Sequence, residues 1–271
     1  MSLREKWLNG SLKYRGDFSY LIGVMLGDGY FYHSETKSDN GIGLRTTEKP
    51  FALSFQDCLK KLDYKPRLGI TRTQKGTPLY QVRDSSLELA AYFRLLEIND
   101  LRKMIGKNKE LITSILRGFY ESEGCVGYSS RKKDNRAVGY KIRMGGSLKE
   151  ITEYIFELTK SLRYNCRLDY EPRKYKDRIV NMYRIVIQRK EDVIRFFNEI
   201  NPCIKRTVSI PFTERQKNRV EQYNKVLELF SLGLGYLEIS RKLSLPETTV
   251  WYWVKGVLKP RCLKQPEVIN L

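Results

Sequence analysis

Two acidic residues occupy the same place in two similar stretches of the sequence. Asp28 lies in residues 21–29 and Glu123 lies in residues 116–124. Each stretch has a leucine, one further residue, a glycine, an acid five residues after that glycine, and another glycine. The repeat predicts two related halves that bring their acids together. Paired carboxylates are hard ligands that suit Mg²⁺, with Mn²⁺ as a substitute, and such an ion can activate water and polarise a phosphate.

Small residues precede both acids at a spacing of four, which places them on one face of a helix. Glycine inside a helix costs about 1 kcal/mol relative to alanine, so its repeated use indicates close packing of two helix backbones. Helices packed along this face would bring their C-terminal ends, and the two acids, together. The alternative is a pair of acids that only solvate the helix ends, and the duplication argues against it. The small residues are Gly23 and Gly27 in the first stretch, and Gly118 and Ser122 in the second.

The charge balance of the chain indicates a polyanionic partner. Its 271 residues include 50 Lys and Arg against 31 Asp and Glu, a formal charge of +19. Such an excess favours nucleic acid, where neutralised phosphates release counterions. A membrane surface is disfavoured because no apolar run reaches about 18 residues. The polar N-terminus does not resemble a signal peptide, which leads us to expect an intracellular protein.

Cysteine and histidine usage restricts the chemistry further. The five cysteines form no C-x-x-C pair, and His33 is the single histidine. A structural zinc site, a histidine-based nuclease and a Ser-His-Asp triad are therefore all disfavoured. We interpret the cysteines as buried or idle thiols and His33 as an incidental surface residue.

Hydrophobic periodicity predicts the elements that position the acids. In the first half we expect a helix that Asp17 caps and Gly29 ends, starting at Phe18. Strands are predicted at 41–47, 67–72 and 79–83, and helices at 51–62 and 87–95. The second half repeats this order, with helices at 110–121, 148–162 and 191–200, strands near 140–144, 167–170 and 183–188, and a basic loop at 172–178. The fold class is therefore α+β with an internal duplication.

Arginines alternate with apolar residues along the predicted strands. We expect helices on the apolar face of each sheet and DNA on the other, although a solvated polar face is the alternative interpretation. The candidate DNA contacts are Arg45, Arg67, Arg83, Arg143, Arg167 and Arg184.

The C-terminal part has a purely helical pattern after a linker that contains Pro211. Helices are predicted at 220–232, 236–243 and 246–254, and their apolar spacing is typical of a helix-turn-helix in which Ser244 replaces the usual turn glycine. An ordinary helical cap is the alternative. The predicted domains are 12–108, 109–205, a linker at 206–218, and 219–262. Candidate DNA contacts in the last domain are Thr248, Thr249, Tyr252 and Lys255.

The two stretches resemble the LAGLIDADG motif, and residues 12–205 resemble a single-chain homing endonuclease with two such motifs. The resemblance implies a pseudo-twofold αββαββα unit in each half and saddle-shaped antiparallel sheets over a long DNA target. It also implies cleavage of both DNA strands, leaving short 3′ overhangs. Asp28 and Glu123, with the preceding Gly27 and Ser122, are the predicted metal ligands.

Members of this family often carry a lysine near the cleavage centre, at the end of the second strand. Lys49 matches that place in the first half and is our third catalytic candidate, although a solvated turn lysine is the alternative. The matching place in the second half is read as Gly145-Gly146, which predicts unequal cutting of the two strands.

The sequence thus predicts a monomeric, Mg²⁺-dependent, site-specific double-strand DNA endonuclease encoded by a mobile intron or similar element. Two alternatives remain open. One is a non-catalytic DNA-binding regulator, and the other is an RNA maturase that uses the same basic sheets to bind its intron.

Overall fold

The computed structural model describes residues 7, 12, 14–32, 40–130, 137–175, 178–204, 207–209, 214–260 and 268–270. His33, Pro211 and Cys262 lie outside these residues. Within them, no helix has the length and apolar character needed to cross a membrane.

The first half has the order αββαββα, which confirms the prediction for this half. The elements are α1 (Arg15–Met25), β1 (Tyr30–Tyr32), β2 (Gly41–Thr46), α2 (Lys49–Lys61), β3 (Arg67–Arg72), β4 (Pro78–Asp84), α3 (Leu87–Arg94) and α4 (Ile98–Ile105). The strands form an antiparallel sheet in the order β1-β2-β4-β3. The further helix, α4, leads to the second half.

The second half repeats the same order of elements and the same strand arrangement. The elements are α5 (Lys109–Glu123), β5 (Cys125–Ser130), β6 (Ala137–Met144), α6 (Lys149–Ser161), β7 (Cys166–Tyr175), β8 (Arg178–Ile187) and α7 (Lys190–Ile200). The sheet has the order β5-β6-β8-β7, so the predicted duplication is confirmed at the level of topology. A short pair of strands, β9 (Thr207–Ser209) and β10 (Val268–Asn270), follows.

Each sheet buries one face against its helices. In the first sheet, Ile42 pairs with Asp84 and Leu44 pairs with Val82, and all four residues are buried. Asp84 is the polar member of this set, and it accepts hydrogen bonds from the backbone N–H groups of Lys65 and Ser86. Because side chains alternate along a strand, the residues between these positions form the opposite, polar face.

The start and end of α1 differ from the prediction. The helix begins at Arg15 after Tyr14, whose φ is 58°. Asp17 therefore lies in the first turn rather than at the cap, where it pairs with Lys61 at 3.1 Å. The helix ends at Met25, so Asp28 belongs to the following turn, whereas α5 continues through Glu123.

The predicted basic loop at 172–178 is wrong. Strand β7 runs through Pro172 to Tyr175, and Pro172 pairs with Asn181 on β8. Here the proline stays within a long hairpin on an edge strand of the sheet, where a missing N–H is tolerated.

The chain divides into two compact units, with residues 128–140 and 207–270 in the second. The helices of the second unit are α8 (Glu214–Ser231), α9 (Tyr236–Leu243) and α10 (Glu247–Val254). Ser244 lies between α9 and α10 with φ of 51°, the left-handed conformation for which glycine is usual. The assignment of these helices as a DNA-binding helix-turn-helix stays a prediction. Their shared core consists of Tyr223, Val226, Leu229, Ile239, Leu245, Val250 and Trp253.

Candidate functional site

Helices α1 and α5 approach so closely that their glycines touch the opposite backbone. A Cβ atom on Gly23 would lie 2.9 Å from the backbone nitrogen of Phe119 and closer still to the carbonyl oxygen of Ile115. A Cβ atom on Gly118 would lie 2.9 Å from the nitrogen of Val24 and closer still to the carbonyl oxygen of Tyr20. The small residues are therefore explained by direct backbone contact between the two halves.

The same contact continues to the ends of the two helices. A Cβ atom on Gly27 would lie 2.5 Å from Cβ of Ser122 and 3.1 Å from Cγ of Glu123. The hydroxyl of Ser122 donates a hydrogen bond to the carbonyl oxygen of Gly118. The turn that carries Asp28 thus lies directly against the last turn of α5.

The carboxyl groups of Asp28 and Glu123 are close enough to interact electrostatically. Burial, followed by the negative charge of Asp28, raises the pKa of Glu123 to about 7. Partial burial also raises the pKa of Asp28, although that side chain keeps access to solvent. Two carboxylates that repel each other in a partly dry site favour a proton or a cation between them.

A small cavity of about 170 Å³ lies beside Glu123. A Cβ atom on Gly146 would lie 3.9 Å from Oε2 of Glu123, so the chain after β6 passes close to the acid. Gly145 has φ of 142°, which accommodates this turn. The lining residues are Leu26, Gly27, Phe119, Glu123, Gly146, Ser147, Leu148, Ile151 and Thr152.

The donor set of this site fits a hard divalent ion. Asp28 and Glu123 supply carboxylate oxygens, and no cluster of three or more His, Cys, Asp or Glu suited to a metal occurs among the described residues. Mg²⁺ typically takes one or two carboxylates and completes its shell with water and phosphate oxygens. The two acids therefore suit Mg²⁺ that completes its shell with water or phosphate oxygens, and they do not form a complete protein cage.

Lys49 occupies the first position of α2 and is exposed. The second half has an equivalent residue, because α6 also has 13 residues and begins with Lys149. The reading of Gly145-Gly146 as the equivalent of this lysine is therefore wrong. The sequence comparison aligned Lys49 with Gly145-Gly146, which lie a few residues before Lys149.

A buried acid that the motif analysis missed lies two residues before Glu123. The side chain of Glu121 is completely buried, and its oxygens accept hydrogen bonds from Tyr20 Oη at 2.6 Å, Arg117 Nε at 3.1 Å and the backbone nitrogen of Cys203 at 2.6 Å. Burial, followed by the charge of Glu121, raises the pKa of Tyr20, so the phenol stays a neutral donor. Glu121 thus has fixed partners and a structural role, in contrast to Glu123.

The predicted arginines of the first sheet share its polar face. Gly43 pairs with Arg83, Arg83 also pairs with Arg67, and Arg45 pairs with Gln81. All three arginines are exposed. A cavity of about 530 Å³ opens along this face. Its lining includes Lys65, Arg67, Gln81 and Arg83, so the predicted basic surface exists here.

The polar face of the second sheet has a different charge pattern. Arg184 pairs with Glu171 at 2.6 Å, and Arg167 pairs with Asp169 at 2.7 Å. Burial, together with the charges of Arg143, Arg167 and Arg184, lowers the pKa of the nearby Lys141. The predicted arginines are gathered on one face here too, but acids neutralise two of them.

The C-terminal candidates lie on α10 and just after it. Thr248, Tyr252 and Lys255 are exposed, and Thr249 is half-buried. Trp251 is exposed as well and contacts Tyr252 edge-on, with ring centroids 5.2 Å apart. These side chains are accessible to a ligand.

Residues 16–98 match the family model described as a LAGLIDADG-like domain. The chain is 26% identical to the uncharacterized protein MJ0398 of Methanocaldococcus jannaschii over 204 residues, covering 70% of this chain and 68% of that protein. It is 31% identical over 109 residues to the uncharacterized protein MJ0314 of the same organism, and the aligned part covers 40% of this chain and 41% of that protein.

I-DmoI and DUF199/WhiA are among the proteins whose solved structures are similar to the chain. The homing endonuclease I-DmoI aligns with a TM-score of 0.45 and 19% identity, covering 69% of this chain and 95% of that one. Full-length DUF199/WhiA from Thermotoga maritima aligns with a TM-score of 0.46 and 13% identity, and the alignment covers 95% of this chain and 96% of that one.

Proposed function

We propose that this chain, whose residues 16–98 form a LAGLIDADG-like domain, is a metal-dependent endonuclease that cleaves both strands of DNA at specific sites. The observation that carries the proposal is the meeting of Asp28 and Glu123. One acid comes from each half, and burial, followed by the negative charge of Asp28, raises the pKa of Glu123 to about 7. A structural acid is normally paired, as Glu121 is with Arg117, whereas no lysine or arginine among the described residues forms an ion pair with Asp28 or Glu123.

The chain's own residues do the positioning. The backbone contact at Gly23 and Gly118 fixes how far apart the two acids lie. Asp28 and Glu123 would hold the divalent ion, with Gly27 and Ser122 beside them as further ligand candidates. The bound ion supplies Lewis acidity and an activated water. Lys49, at the start of α2, is the candidate for stabilising charge that develops on the scissile phosphate.

The basic sheet faces are the proposed DNA interface of the first unit, and the exposed residues of α10 are proposed as separate DNA contacts of the second unit. Neutralised phosphates would give binding a steep dependence on salt. We propose that the chain acts as a monomer on a long DNA target and that its cleavage leaves short 3′ overhangs. The proposed biological role is the homing of a mobile intron. Each half would then serve one strand.

Cleavage of DNA that contains an intron-less insertion site tests this proposal. Purified protein with Mg²⁺ should produce double-strand breaks, and EDTA should abolish them. Asp28→Asn and Glu123→Gln should each reduce the rate by several orders of magnitude. The matched control is Asp57→Asn, since Asp57 is an exposed carboxylate on α2 that pairs only loosely with Lys60 at 3.6 Å.

The alternatives predict a different outcome of the same experiment. A DNA-binding regulator would bind DNA without cutting it, and the two acid substitutions would leave binding unchanged. An RNA maturase would bind intron RNA more tightly than the insertion site. Either result, with correctly folded protein, would contradict the nuclease proposal.

A further inference from the structure

Five side chains form a connected cluster on the polar face of the first sheet. They are Tyr30 and Tyr32 of β1, Arg45 of β2, and Gln81 and Arg83 of β4. Tyr30 pairs with Gly43, and a Cβ atom on Gly43 would lie 2.7 Å from Cζ of the tyrosine. The ring of Tyr30 thus crosses the strand at its glycine and reaches the side chains of β4.

Gln81 lies at the centre of the cluster. Only hydrogen-bond donors surround one end of its amide, so that end is the carbonyl oxygen. It accepts from Nε and Nη2 of Arg45 at 2.6 and 2.9 Å, and from Nε and Nη2 of Arg83 at 3.0 and 2.8 Å. The Tyr30 hydroxyl donates to the same oxygen at 2.6 Å. One neutral acceptor therefore holds two guanidinium groups side by side.

Aromatic rings fix the planes of both guanidinium groups. The guanidinium of Arg45 lies over the ring of Tyr30 at 5.3 Å, and that of Arg83 lies over Tyr32 at 5.4 Å. Within the described part of the chain, neither arginine has an ion pair with an acid. Each uses its Nε–Nη2 edge inside the cluster, which leaves the edge that carries Nη1 for a ligand. The conformational entropy of both side chains is largely lost before any ligand binds.

We propose that Arg45 and Arg83 read two guanines in the major groove, and that Gln81 is the residue that positions them. The proposal rests on the proposed DNA-binding function and adds the base specificity of the first half. A guanidinium edge matches the O6 and N7 acceptors of guanine in a planar, bidentate contact. Because Gln81 and the two tyrosines hold both guanidinium groups in place, each is preorganised for one such base edge.

The second sheet lacks this arrangement, which makes the two halves unequal readers. The local repeat Tyr80-Gln81-Val82 and Tyr183-Arg184-Ile185 places Arg184 where Gln81 stands. Arg184 is held by Glu171 instead. The paired guanines should therefore lie on one side of the target only, the side bound by the first half.

Selection from a randomised double-stranded DNA library tests the inference. The full chain is used with Ca²⁺ in place of Mg²⁺, so that binding is measured independently of cleavage. We expect two guanines to be conserved on one side of the selected sites. Replacing either with 7-deazaguanine, which removes N7 but keeps base pairing, should weaken binding about tenfold, since it removes one acceptor of a bidentate contact. Arg45→Gln and Arg83→Gln should each abolish that penalty at one of the two positions.

Gln81→Leu distinguishes positioning from charge. It should relax the preference at both guanines while the slope of log K against log salt stays unchanged, because the variant removes no cation. Arg143→Gln on the second sheet is the matched control and should leave both guanine preferences intact. If selected sites carry no guanines that depend on Arg45 and Arg83, or if Gln81→Leu keeps both preferences, the inference is wrong.

The outcomes separate this inference from the nuclease proposal. Guanine reading without cleavage in Mg²⁺ would overturn only the nuclease. Cleavage at sites that lack the paired guanines would overturn only the inference. A library with no enriched sequence would overturn both.

Discussion

Gly23→Ala tests whether backbone contact between α1 and α5 holds the two halves together. The added methyl group would lie 2.9 Å from the nitrogen of Phe119 and closer to the carbonyl oxygen of Ile115. Carbon atoms in ordinary contact lie about 3.5–4.0 Å from their neighbours. Neither obstacle is a flexible side chain, so the helices must move apart by roughly half an ångström or more.

The magnitude follows from two opposing effects. Alanine is favoured over glycine in a helix interior by about 1 kcal/mol. Overpacking a tight interface costs typically 1–3 kcal/mol and can cost more where backbone must move. Because the contacts at Gly23 involve backbone of the facing helix, we expect a net loss of about 1–2 kcal/mol in the free energy of unfolding.

Gly16→Ala provides the matched control on the same helix. A Cβ atom there would lie 3.6 Å from Oγ of Ser114 and 3.7 Å from Oε1 of Glu110, both ordinary contacts with α5. This variant should gain up to about 1 kcal/mol from helix propensity. The same chemical change should therefore have opposite signs at two positions of α1.

Denaturant unfolding, followed by circular dichroism, measures the difference between the two variants. DNA cleavage in Mg²⁺ should also fall in Gly23→Ala, since separated helices carry Asp28 and Glu123 apart. Equal stability of the two variants would refute the close approach of α1 and α5. A destabilised Gly23→Ala with full cleavage activity would refute the link between helix spacing and the acids.

Three other predictions concern the acids, the lysines and the C-terminal unit. The pKa of Glu123 rises from 4.5 to about 7 on folding, so the folded state binds its proton more tightly and the metal-free protein loses stability as pH increases between these values. Glu123→Gln should therefore raise the free energy of unfolding at pH 8 by ~1–2 kcal/mol, after allowance for solvent screening. At pH 4 the same substitution should change the free energy of unfolding little. An equal effect at both pH values would contradict the pKa assignment. Lys49→Ala should slow nicking of one DNA strand more than the other, and Lys149→Ala should show the reverse preference; strand-resolved gels would expose equal slowing, or none, as a failure. Ser244→Gly should stabilise the C-terminal unit by about 0.5–1 kcal/mol, because Ser244 has φ of 51°. Gly233→Ala, at φ of 88°, should destabilise the same unit. Unfolding followed by tryptophan fluorescence measures both effects.

Sequence periodicity was sufficient for the long elements and for the duplication. The predicted strand 67–72 and helix 236–243 match β3 and α9 in both bounds. Strands β1 and β5 were both missed. Strand β1 has three residues, too few for alternation to be recognised, and β5 contains Gly127 and two serines, which leave little apolar alternation. The predicted strand ended at Tyr170, before a basic loop, and only the pairing of Pro172 with Asn181 reveals that β7 continues.

The candidate site could be predicted only in part, for a related reason. The repeated motif identified Asp28 and Glu123 because both copies are local in sequence. Gln81 carried no such signal, since its role depends on cross-strand register that brings Arg45 and Arg83 to one oxygen. Side chains whose function arises from long-range pairing leave little trace in a single sequence.

The buried acid Glu121 limits how freely the halves of this protein can be exchanged. Its partners come from both halves: Tyr20 lies on α1 of the first half, and Arg117 lies on α5 of the second. The motif repeat places Leu26 where Glu121 stands, so the two faces are not interchangeable. A chimera that joins this second half to a foreign first half needs a hydroxyl donor at position 20. Without it, the buried carboxylate of Glu121 would lose one of its hydrogen-bond donors. Engineers who recombine such halves should therefore treat Tyr20 and Glu121 as one inherited unit.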